Sequence, residues 1–386
     1  MTWDDATRGN RPRPYAPLLE NRRKPHRYQL KRGAAQVVRS GHPWIFRGQL
    51  SSAAAIFRDG QWLRLVDGHN QVVGTGVYQG DGVVAIRVLR RGETPPDAAW
   101  FGSRVGRALA RRQRLRGATT GFRALDGEND ELPGVVLDVY GGVGVLQTYA
   151  PCVEDLGRYA ACLVRRELGL GGLVWKRPHG GPSRVLFGEV PEAVPFREGP
   201  LELWVDPREG QKSGTFLDLR GLRRWLLRQD LEGKRVLNLF SYTGSLALAC
   251  RGASVVNLDQ STAALAFARE RHGLEGIRAD LLRDFSAVPE GPYDLILVDP
   301  PRMTSRMDQV PQALAAYRKL YRNASRLLAP GGTLVACCCT SRISPERFQA
   351  TLAEVLPLKL RRELSPEPDH TPRFPESDYL KIHIYR

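Results

Sequence analysis

Residues 294–301 read DLILVDPP, and this stretch decides the fold. The apolar run Leu295–Val298 is too short for a core helix but has the length of a strand covered on both faces. Asp299 closes the run, and Pro300 and Pro301 then fix an extended turn and remove two backbone donors. A carboxylate beside such a corner leaves a surface on which a planar base can lie. Two runs upstream share the pattern of apolar residues ending in a polar tip: VLNLFSYTG at 236–244 and SVVNLD at 254–259. Downstream, LVACCC at 334–339 ends in three adjacent cysteines. Helix-length segments separate these runs, so the region from 218 onward predicts a doubly wound α/β sheet of the Rossmann-like kind. GIRAD at 276–280 adds a short strand, and LPLKLRREL and YLKIHIYR predict a closing hairpin. After the first strand the segment SLALACRGA predicts a helix with Cys250 in its core face.

Ligands of open α/β sheets bind outside the carboxyl ends of the strands. The candidate loop is Phe240, Ser241, Tyr242, Thr243 and Gly244, where Gly244 lets backbone approach a ligand without a Cβ. The loop lacks GxGxxG, which argues against a pyrophosphate-bearing dinucleotide and for a nucleoside cofactor without phosphates. Asp259 at the end of the second strand suits two ribose hydroxyls, and Asp280 at the end of the third suits an adenine amino group. The plainer reading of either carboxylate is a helix cap. Lys212, in GQKSGTFLDLRGLR at 210–223, is a candidate for the cofactor's carboxylate or for a nucleic-acid phosphate. No cysteine or histidine spacing resembles a metal site, and no metal is expected.

A thiol at a neighbouring strand tip adds a specific chemistry. Carbon 5 of a pyrimidine is a poor nucleophile until a thiolate adds to carbon 6 and makes it enamine-like. A thiolate of lowered pKa is therefore wanted beside the base, and Arg302 or Lys212 would lower it. Taken together, the motifs point to methyl transfer from S-adenosylmethionine onto a nucleic-acid base. Amino-methylating enzymes carry an aromatic residue after the Pro-Pro corner. Arg302 and Met303 stand there instead, which weakens the amino-methylation reading.

The remaining sequence fits a nucleic-acid partner. Lys and Arg number 57 against 41 Asp and Glu, a net charge of +16, and such an excess concentrates polyanions near the surface. An arginine-rich composition without a partner is the plainer reading. Residues 1–27 predict a flexible basic arm, and 28–96 a small β-barrel. There Trp44, Phe46 and Arg47 in GHPWIFRGQL suit stacking on RNA, although a barrel core explains the two aromatics as well. Residues 97–195 predict a small α+β middle domain whose first helix is arginine-rich, and 196–386 the catalytic domain. No apolar run is long enough for a membrane span and the amino terminus has no secretory character. Scattered cysteines fit a reduced, cytoplasmic chain.

The chain resembles the bacterial 23S ribosomal RNA 5-methylcytosine methyltransferases of the RlmI type. Those enzymes carry a PUA domain before a class I methyltransferase domain. The resemblance rests on GHPWIFRGQL (41–50), LDGENDELPGVVLDVYG (125–141), GQKSGTFLDLR, VLNLFSYTGSLALA, LVDPPR, LVACCCTS and DHTPRFPESDYLK (369–381). It implies S-adenosylmethionine as methyl donor, 23S rRNA as partner, a donor site around Phe240–Gly244, Asp259, Asp280 and Asp299, and a cytosolic enzyme. It also implies a single catalytic cysteine after the Pro-Pro corner, aligned at Cys339, with Cys338 as the alternative. Asp299 would orient the base or assist proton removal, with Pro300, Pro301 and Arg302 against the substrate. Members of the family are commonly homodimers. Two other readings stay open: a guanine-N7 rRNA methyltransferase needing no thiol, and a non-catalytic ribosome-assembly factor.

Overall fold

The computed structural model describes residues 25–51, 56–177 and 181–386. Most of the expected basic arm therefore lies outside the described residues. Its last residues, His26 and Arg27, belong to a strand. The chain forms two compact units, one of Met1–Gly199 with Val205–Thr215, the other of Pro200–Trp204 with Phe216–Arg386.

The first unit begins with strands β1 (His26–Gln29), β2 (Trp44–Phe46), β3 (Trp62–Val66), β4 (Val72–Tyr78) and β5 (Val84–Arg91). They form a sheet in the order β1-β3-β4-β5-β2, in which only β1 runs parallel to its neighbour. Gly74 and Gly76 permit the close β4–β5 approach, since a Cβ on Gly76 would lie 2.5 Å from the Ile86 side chain. A second sheet follows, from β6 (Gly121–Asp126), β7 (Val135–Tyr140), β8 (Val143–Thr148), β9 (Gly172–Lys176) and β10 (Arg184–Gly188), ordered β10-β9-β8-β7-β6. Strand β11 (Val194–Glu198) then leads to β12 (Leu201–Val205), where the chain enters the second unit.

One apolar cluster joins the two sheets of the first unit, and a second lies against its first sheet. Trp62, Val77 and Leu89 of the first sheet join Phe101, Val105 and Leu109 of the helix Ala98–Arg111 and Leu125, Leu137 and Leu146 of the second sheet. Burying each large side chain contributes about 1.5–3 kcal/mol, so the two regions that the sequence separates near Pro96 share a core. Asp97 caps the helix, accepting from Trp100 N at 2.7 Å.

The second unit carries β13 (Arg235–Leu239), β14 (Ser254–Asp259), β15 (Gly276–Arg278), β16 (Tyr293–Val298), β17 (Leu328–Cys338), β18 (Leu360–Glu363) and β19 (Lys381–Tyr385). Their order is β15-β14-β13-β16-β17-β19-β18. The first five are parallel, and β19 and β18 close the edge antiparallel, as the hairpin reading expects. Helices Thr262–His272, Val310–Ser325 and Pro345–Ala353 lie between strands, the first and last capped by Ser261 and Ser344. The helix expected after β13 does not form. Only a 3-10 turn, Ala247–Ala249, appears, because Gly244 and Gly252, at φ 79° and 75°, bracket too short a segment. Cys250 follows that turn, is buried, and donates to Leu246 O at 3.4 Å. Burial pushes its thiol up to about 12, the pattern of an inert core residue. Among the described residues no helix is long and apolar enough to cross a membrane.

Candidate active site

Parallel register sets the strand tips level. Leu239 pairs with Leu258 and with Val298, and Val298 pairs with Ala336. Phe240, Asp259, Asp299 and Cys337 therefore lie level at one end of the sheet. After β13 the chain passes to β14 on one side and later returns to β16 on the other. The loop after β13 thus sits where strand order reverses, the usual binding crevice of an open α/β sheet.

The loop is held in an unusual conformation. Phe240, Tyr242 and Gly244 have φ of 61°, 49° and 79°, and each non-glycine residue in that region costs about 1–2 kcal/mol. Three bonds offset the cost: Ser241 N donates to Leu258 O (2.9 Å), Tyr242 N to Asp259 Oδ2 (2.8 Å) and Gly244 N to Ser241 O (2.8 Å). The Phe216 and Tyr242 rings meet edge to face at 5.3 Å. At Gly244 a Cβ would stand 2.5 Å from Leu274 Cδ1, so any side chain there meets both strain and a clash.

Asp259 is 8% exposed, with Oδ2 on Tyr242 N and Oδ1 on Ser261 N, each at 2.8 Å. It therefore orients the loop and holds Ser261, the cap residue of the next helix, while a carboxylate of this kind retains further acceptor capacity for ligand hydroxyls. Ser241 Oγ is buried without a hydrogen-bond partner among the described residues. A buried hydroxyl left unsatisfied at a strand tip is what a polar ligand would complete. An acceptor carboxylate, an orphan hydroxyl and a loop without a phosphate cradle together fit S-adenosylmethionine. Asp280 differs: it is exposed, and its Oδ1 accepts from Arg283 N at 3.4 Å, so the turn-capping reading has a bond of its own.

Beyond β16, Asp299 is partly exposed, Pro300 buried, and Pro301 and Arg302 exposed. The cysteines on the adjacent tip divide sharply. Cys337 and Cys338 are 1% and 0% exposed, and Cys338 lies in the main apolar cluster. Burial, with Asp299 and Cys339 adding to it, pushes the Cys337 thiol well above the usual range. Cys339 is partly exposed, and its Sγ lies 3.6 Å from the Pro300 carbonyl oxygen. Thr340 ties the two tips together, its Oγ1 accepting from Met303 N at 3.2 Å and meeting Tyr317 Oη at 2.9 Å.

Three candidates fall in the first unit. Lys212 has φ 51° in the turn Gln211–Gly214. Trp44 Nε1 donates to Glu128 Oε1 at 2.7 Å, and the Arg87 guanidinium pairs with the same carboxylate. Arg47 donates to Gly82 O and Gln79 O, each at 2.8 Å. The aromatic and arginine of that segment are thus engaged within the unit. Sequence reading also passed over Asp218, whose Oδ2 accepts from Tyr379 Oη, and Lys381, which is buried at the start of β19. A lysine opening the alternating run KIHIY was the available signal for the second.

Fold and site define a class I methyltransferase that uses S-adenosylmethionine and carries a PUA-like domain. Residues 173–386 match the profile of S-adenosylmethionine-dependent methyltransferases, and residues 29–91 that of a PUA-like domain. The chain belongs to this methyltransferase family. A ribosomal RNA large subunit methyltransferase of Deinococcus radiodurans is 32% identical over 92% of this chain and 96% of its own. Ribosomal RNA large subunit methyltransferase I of Shewanella amazonensis is 30% identical over 92% and 98%. Two solved structures share the fold at 20% identity, each over 94% of this chain and 100% of its own. One, described as a methyltransferase complexed with SAH, has a TM-score of 0.82. The other, described as a SAM-dependent methyltransferase from Streptococcus mutans, has a TM-score of 0.81.

Proposed function

We propose that this chain methylates carbon 5 of a cytosine in large-subunit ribosomal RNA in the cytoplasm, with Cys339 as the nucleophile. The names of its relatives support the RNA, and the partial exposure of Cys339 against the Pro300 carbonyl carries the choice of atom. The Cys339 thiolate adds to carbon 6, forming an S–C bond and placing the electron pair at carbon 5. S-adenosylmethionine, when bound, supplies an electrophilic methyl group to that carbon. A base then takes the carbon-5 proton, the electrons reform the ring double bond, and the S–C bond breaks to return the thiolate.

Each neighbouring group has a role in this scheme. The Pro300–Pro301 corner gives the base a flat, donor-free surface. Asp299 beside it orients the cytosine amino group or assists proton removal. Arg302, exposed next to the corner, faces the polyanionic substrate, and the PUA-like domain and the net charge of +16 supply affinity.

The test is methyl incorporation into large-subunit rRNA from a strain lacking this protein, using Cys339→Ala that still binds S-adenosylmethionine. Loss of incorporation is the expected result. Unchanged incorporation overturns the thiol mechanism and favours a purine-nitrogen reaction such as guanine N7.

A further inference from the structure

Lys381 is one of the largest fully buried side chains, at 1% exposure, and the scheme above leaves it without a role. Its Nζ donates to the carbonyl oxygens of Thr340 and Tyr379, each at 2.9 Å, both neutral acceptors. A buried ammonium costs several kcal/mol unless negative charge lies near it. Antiparallel register places Lys381 opposite Cys338, and the Thr340 carbonyl it grips belongs to the residue after Cys339. The ionisable groups facing it are Cys338 at the end of β17, Cys339 just after it, Asp378 from its own segment and His383 from β19. Tyr317, from the helix Val310–Ser325, faces the same two sulfurs.

We propose that Lys381 is a positioning residue for Cys339, pinning the turn that carries the sulfur and supplying the positive charge that favours its thiolate. The inference rests on Cys339 being the nucleophile. Three contacts fix the turn: Met303 N and Tyr317 Oη on Thr340 Oγ1, and Lys381 Nζ on Thr340 O. Burial lowers the Lys381 pKa, whereas Cys338, Asp378 and Cys339 raise it. Coulomb coupling is mutual, so a cation raised by a thiolate lowers that thiol in return. A sulfur so placed is charged over a wider range of pH and attacks carbon 6 more readily near neutrality.

Iodoacetamide alkylation of Cys339 in the full-length chain, followed by peptide mass spectrometry across pH, tests this without RNA. Lys381→Gln keeps a donor for the two carbonyls and removes the charge, while Lys381→Met removes both. The expected result is an alkylation midpoint raised by about one pH unit in each variant, and reactivity near pH 7 reduced about tenfold. If Lys381→Met does not fold, Lys381→Gln decides alone. An unmoved profile in Lys381→Gln overturns the role of Lys381, even if Cys339→Ala abolishes methyl transfer. Methyl transfer surviving in Cys339→Ala instead overturns the nucleophile, whatever the alkylation profile shows.

Discussion

In the first unit, Arg104 and Arg107 both reach Glu131, Arg111 and Arg112 both reach Asp130, and Trp44 and Arg87 both reach Glu128. At the strand tips of the second unit, Ser241 Oγ has no hydrogen-bond partner among the described residues and Cys339 is partly exposed. Polar groups that satisfy one another hold a fold, whereas polar groups left incomplete at one end of a sheet await a ligand. The sequence shows only that the first helix of the middle region is arginine-rich; in the structure much of its charge is answered by nearby carboxylates.

The sharpest way to break this contrast is a buried ion pair of the second unit, which also uses charge to hold itself together. Asp369 is 0% exposed and bonds Arg220 at 2.9 and 3.1 Å. Asp369→Asn leaves Arg220 buried without that partner and is expected to cost about 3–5 kcal/mol of stability, read by denaturant unfolding. Burial would raise this carboxyl, but His370 and Arg220 hold it well below the usual range. The unfolded chain therefore takes up the proton first as pH falls. Stability from this group is complete above the ordinary carboxylate range, about pH 4, and declines below it. A second-unit melting temperature unchanged from pH 6 to pH 3 would contradict this.

Asp259→Asn comes next. It removes a charge that accepts two backbone donors and is expected to weaken S-adenosylmethionine binding by about 1.5–3 kcal/mol in calorimetry. Asp280→Ala should weaken it far less, since that carboxylate is exposed and caps its own turn. Equal losses would place the two aspartates in the same role and undo the distinction drawn between them. Gly244→Ala is expected to destabilise by at least about 1–2 kcal/mol from the left-handed backbone alone, with the Leu274 contact adding to it. Smallest is Glu131→Gln: an exposed pair is worth about 1 kcal/mol or less, so the melting temperature should barely move. Nonspecific RNA affinity at low salt should rise as Arg104 and Arg107 are released, which filter binding at several salt concentrations would measure.

The sequence made the second unit readable because buried parallel strands leave continuous apolar runs, and because polar residues at Asp259, Asp299 and Cys339 mark their ends. Local spacing does not carry what tertiary contact decides. The helix expected near Cys250 fails because two left-handed glycines confine it. The φ values of Phe240 and Tyr242 arise from bonds to β14, which no local pattern encodes. Trp44 and Arg47 were candidate RNA contacts by composition, but Glu128, Gly82 and Gln79, their partners in space, lie far along the chain. Lys212 lies close in sequence to the second unit yet belongs to the first.

The central claim is tested most directly by incubating the chain and S-adenosylmethionine with large-subunit rRNA containing 5-fluorocytosine, from which the carbon-5 substituent cannot leave as a proton. The expected result is a denaturation-resistant protein–RNA adduct whose cross-linked peptide contains Cys339, lost in Cys339→Ala and retained in Cys338→Ala. Methylation of ordinary rRNA with no adduct on the fluorinated RNA, or an adduct mapped to Cys338, would contradict it.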